Sequence, residues 1–149
     1  MLRQLLLLAH LLGVIAWIGG MFFAYFCLRP AAAKVLQPPL RLPLWSATFA
    51  RFLPLAALAV AAIFGSGLAM LLQVGFANAP AGWHAMFTIG LVMIAVFGYV
   101  WLALFPQLRD HCAAADWPAA GADLLRIRQM VALNLLLGLA TVVAAVSAR

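Results

Sequence analysis

Three histidines stand in the chain, at positions 10, 84 and 111, and two of them fall within apolar runs. His10 lies inside Leu5 to Leu28, and His84 opens a run from about Trp83 to Phe105. An ionisable side chain in hydrocarbon is costly, and it demands a hydrogen-bond partner, a counter-charge or a bound ligand. Neutral imidazole serves both haem iron and copper as a ligand. Two imidazoles held level on facing helices would form an axial pair for a haem iron. Arg3 precedes His10 by seven residues and projects from roughly the same helix face, where it would pair with a haem propionate or anchor the chain at the interface. Gly13 and Gly20 lie near the His10 face. Their missing side chains would admit a flat macrocycle to the backbone, and they equally suit close helix packing.

Other chemistry is sparsely represented. The only acids are Asp110, Asp116 and Asp123, and the sequence has no paired carboxylates, nucleophile triad, phosphate loop or dinucleotide fingerprint. Redox activity, if the chain has any, therefore belongs to a cofactor. Met21, Met70, Met86, Met93 and Met130 lie in or near apolar runs, so copper is the rival ligand, with His10 and His84 at the outer mouth and thioethers below. These methionines form no close ladder along the chain and suit core filling as well. Cys27 and Cys112 are expected as packed or idle thiols.

The elements that must position these groups are membrane spans. Of 149 residues, 68% are hydrophobic and 8% charged, with a mean hydropathy of +1.14. A soluble domain of this size has too little interior for so much apolar side chain. Four runs reach bilayer length, at about 5–28, 52–74, 80–105 and 127–146. The first is too long for the apolar core of a signal peptide and has no clean cleavage site after it. The expected fold is all-α: a single integral membrane domain over residues 1–149, built as an up-down-up-down four-helix bundle. Arg29, Lys34, Arg41, Arg51, Arg109, Arg126 and Arg128 flank one face, against Arg3 and Arg149 on the other. That bias places both termini outside, in the periplasm if the membrane is a bacterial inner membrane. The net charge of +6 is a topology signal, not a nucleic-acid footprint. Asn78 is expected to cap the third helix, Pro106 to break its end, and the proline-rich stretch 29–44 to run extended.

From the outer surface His10 lies about five residues into its span, ~8 Å deep, and His84 sits at a similar depth on the diagonally opposite helix. Setting His10 over His84 also sets Tyr25 over Tyr99, a weak internal repeat with an offset of 74. The tyrosines then fall near the inner face, as hydrogen-bonding caps or interfacial anchors.

The run from His10 through Trp17-Ile18-Gly19-Gly20 to Phe23, the Gly82-Trp83-His84 start of the third span and Arg126-Ile127-Arg128 before Asn134 resemble the CopD-type membrane proteins, named for copper resistance. That family is similar to the HemJ-type protoporphyrinogen oxidases, four-helix proteins that bind haem b. Those enzymes use a lysine in the third helix, and here the only lysine is Lys34. Protoporphyrinogen oxidation is therefore not expected. The expectation is a multi-pass inner-membrane b-type haem protein, with His10 and His84 as axial ligands near the periplasmic face and Gly13, Gly20 and Arg3 around the macrocycle. It would serve electron transfer or a haem-dependent oxidoreductase reaction, exchanging electrons with a partner such as quinone, alone or as a homo-oligomer. The alternatives are copper transport, with copper held by the same histidines, and a ligand-free assembly subunit.

Overall fold

The computed structural model describes residues 1–147. Four helices carry the fold: α1 (Leu2–Val35), α2 (Pro38–Val74), α3 (Ala81–Ala113) and α4 (Trp117–Ser147), each long and apolar enough to cross a membrane. The described residues contain no strand. The most extensive packing is between α1 and α2 and between α3 and α4, so the bundle is two antiparallel hairpins side by side.

The helices run well beyond the hydrophobic spans expected from sequence. The stretch 29–44, expected to be extended, is helical except at Leu36 and Gln37. Pro38 opens α2, where the missing N–H has no partner to lose, whereas Pro43 and Pro54 lie inside that helix. The third helix does not stop at Pro106 either. A π-helical turn, Val100–Leu104, ends two residues before it, and a matching one, Ala24–Leu28, ends two residues before Pro30 in α1. A proline cannot donate to the carbonyl four residues back and crowds it. Widening the preceding turn by one residue accommodates that lost bond without ending the helix.

The connections are tight. Gly75 ends α2 at φ +85°, a conformation open to glycine. A single 3₁₀ turn, Phe76–Asn78, follows, and Pro80, not Asn78, is the N-cap of α3. At the opposite end, the Asp116 carboxylate accepts the Ala119 N–H at 3.1 Å and caps α4.

Packing is uneven along the bundle. The half nearest the α1–α2 and α3–α4 turns is filled: Leu42, Leu104, Leu108 and Ile127 are each less than 2% exposed. There the His111 imidazole meets the buried Asp123 carboxylate at 2.6 Å and ties α3 to α4. The half carrying the chain termini is hollow.

Candidate functional site: a cavity between four helices

A cavity of about 470 Å³ opens between all four helices in the terminal half of the bundle. Its walls are mostly aliphatic and aromatic. The exceptions are Arg3, His10 and Thr141, the indole of Trp83, and the thioethers of Met70, Met86 and Met93. Trp17, Leu71 and Met93 are the buried members of this lining, with Val60, and the Trp17 ring meets Phe97 edge-on at 5.9 Å. Beneath them Asn134 donates from its side-chain nitrogen to the Met93 carbonyl at 3.2 Å, a cross-helix bond within the apolar core.

The His10 ring is fixed from one side. Its Nδ1 lies 3.0 Å from the Ile63 carbonyl oxygen and 3.2 Å from Ser66 Oγ. A carbonyl only accepts, so Nδ1 carries the hydrogen and donates it to Ile63. The Ser66 hydroxyl is committed to the carbonyls of its own helix, at Ala62 and Ile63. This leaves the Nε2 lone pair as the ligating position, the arrangement that orients metal-binding imidazoles in proteins. Gly67 allows the ring its place: a Cβ there would fall 3.3 Å from His10 Cε1.

The cavity wall has an internal symmetry. The α1 residues Leu7, His10, Leu11, Val14, Trp17 and Ile18 line it, and adding 76 to each number gives Trp83, Met86, Phe87, Gly90, Met93 and Ile94, the complete α3 contribution. The π turns repeat at the same offset, Ala24–Leu28 against Val100–Leu104. On the other two helices Ile63, Phe64, Gly67 and Leu68 correspond to Thr141, Val142, Ala145 and Val146 at an offset of 78. The chain is thus a hairpin used twice, and the true register differs by two residues from the 74 that aligns the histidines. In that register the counterpart of His10 is Met86.

The other expected site residues fall as follows. Arg3 lines the cavity along with His10. His84 is not among the lining residues; its ring packs against Phe76, with centroids 4.8 Å apart. Gly13 and Gly20 belong to the α1–α2 seam: a Cβ on Gly13 would fall 2.8 Å from the Ala59 carbonyl oxygen, and one on Gly20 would overlap the Phe52 ring. Sequence reasoning missed Ser66 and Gly67, and named Met86 only as one of five methionines in or near the spans. The signal for the first two was the Gly65-Ser66-Gly67 run, small and polar within an apolar span. Among the described residues no three or more His, Cys, Asp or Glu side chains are grouped to hold a metal. Any metal in the cavity would therefore rely on imidazole and thioether.

A hollow four-helix bundle with one oriented imidazole in an apolar cavity defines a multi-pass membrane protein with a chamber between its spans. Residues 46–148 match the family model for copper resistance protein D, and the chain belongs to that family. The match includes Met86 and most of the cavity wall; it does not reach α1 and His10. Comparison with curated proteins and with solved structures returns no match.

Proposed function

We propose that this protein handles copper ions in the membrane, taking Cu(I) into the cavity through His10 Nε2 and the thioether of Met86. One observation carries the proposal: His10 and Met86 occupy corresponding positions on two walls of one cavity, with Met70 and Met93 also in its lining. Imidazole and thioether together suit Cu(I), a soft ion that tolerates few ligands. The basic loops support an orientation in which the cavity half, with the termini, faces outward, to the periplasm if the membrane is a bacterial inner membrane.

The test is titration of detergent-purified protein with Cu(I) against a chromophoric chelator. One ion per chain is expected, lost in His10→Ala. Absence of binding in the wild type above that of His10→Ala would overturn the proposal.

Haem b is the second reading, favoured by the cavity itself. A volume of about 470 Å³ with apolar walls is more than one ion needs and falls in the range of organic-ligand sites. His10 would then be an axial ligand and Arg3 a propionate partner. A Soret band in protein as purified, absent in His10→Ala, would select this reading. A change of that band in His84→Ala would bring the second histidine into it.

A further inference from the structure

Three arginines converge at the opposite end of the bundle, near the α1–α2 turn. Arg29 and Arg128 line one cleft with Tyr25 and Trp45. The Arg29 guanidinium lies over the Tyr25 ring, 5.0 Å from its centroid. Arg41 stands one helical turn before Trp45 on α2, on the same face of that helix. All three side chains are half-buried. The Arg128 Nε is buried and has no hydrogen-bond partner among the described residues.

No aspartate or glutamate serves them. The chain has three acids in all. Asp123 is held by His111 and Arg126, Asp110 pairs with Arg109, and Asp116 caps α4. The cleft itself is about 20 Å³, room for one oxygen-sized group beside Arg128. A water there would satisfy the Nε hydrogen bond, yet it would leave three neighbouring like charges without a counter-charge. An anion with several acceptor oxygens answers both needs, because guanidinium groups bind phosphate through paired, charge-assisted hydrogen bonds.

We infer that Arg29, Arg41 and Arg128 form a binding site for a phosphate group, supplied by the headgroup of an anionic phospholipid in the leaflet at the basic face. Basic pockets between membrane helices take such headgroups, and Tyr25 and Trp45 are the aromatic types enriched at that depth. The site is independent of the copper cavity, which lies in the other half of the bundle.

The experiment is native mass spectrometry of the purified full chain, with lipid retention scored against phosphatidylglycerol, phosphatidylcholine and inorganic phosphate added separately. Phosphatidylglycerol should be retained over phosphatidylcholine, and Arg29→Gln, Arg41→Gln and Arg128→Gln should each reduce retention roughly tenfold. Arg109→Gln, at an exposed pair with Asp110, should not. Arg128→Lys, which keeps the charge but not the paired donors, should fall between. Retention of inorganic phosphate with the same dependence on the arginines would support the site while overturning the lipid as its source. Equal retention of phosphatidylglycerol by the wild type and the Arg29→Gln and Arg41→Gln variants would overturn the inference, including where Arg128→Gln fails to fold.

Discussion

His10 and Met86 are equivalent residues: each lines the same cavity from the corresponding position of its own hairpin, 76 residues apart in the chain. A site on a pseudo-symmetry axis receives one ligand from each half, so the two should contribute jointly. Met86→Leu preserves volume and apolar character but removes the sulfur. It is expected to weaken Cu(I) binding by about tenfold, equivalent to ~1.4 kcal/mol, while His84→Ala changes it by less than about twofold. Competition titration of the two variants checks this, and the reverse ranking would move the partner role to His84.

The orientation of the His10 ring rests on a backbone carbonyl, which no substitution removes. Ser66→Ala therefore has little to disturb, because the serine hydroxyl already donates within its own helix. Gly67→Ala is different: the new Cβ would press on the imidazole at 3.3 Å. Ser66→Ala should leave Cu(I) affinity within about threefold, and Gly67→Ala should lower it by roughly tenfold or more with the fold intact, in line with other groups that orient metal ligands. Affinity measured beside thermal unfolding separates ring displacement from loss of structure.

Close approach of α1 to α2 depends on Gly13 and Gly20. Gly13→Ala sets a methyl 2.8 Å from the Ala59 carbonyl oxygen, a backbone atom that moves only with its helix. It should destabilise the bundle by about 1–3 kcal/mol, the usual cost of overpacking. Gly19→Ala and Gly98→Ala meet nothing within 4 Å and should be neutral or slightly stabilising. Unfolding in mixed micelles, run on all three variants, gives the comparison.

At the other end, the His111–Asp123 contact of 2.6 Å holds the end of α3 against α4. Asp123 is only 3% exposed, whereas His111 can turn to solvent when its partner is lost. Asp123→Ala should cost about 2 kcal/mol of stability, the net worth of a charge-assisted hydrogen bond. His111→Ala should leave Cu(I) binding unchanged, since it lies in the half of the bundle away from the cavity. Loss of copper in His111→Ala with an unaltered unfolding profile would place a metal role where none is expected.

The membrane class, the number of spans and their antiparallel order were legible in the sequence, because apolar length and loop charge act locally and need no partner to be read. His10 was legible for the same reason: an imidazole inside a span is anomalous wherever the chain folds. Helix lengths were less so. Pro30 and Pro106 read as breaks, but π turns ending two residues earlier absorb the missing hydrogen bond, and that adjustment has no sequence signature of its own. The partner of His10 depended on tertiary structure altogether. Matching residues by chemical type set His10 over His84, whereas the packing of the two hairpins sets it over Met86, two positions on. On a helix two residues are a rotation of about 200°. The sequence determined that an imidazole would stand in the membrane; only the facing of the helices decided which side chain shares its cavity.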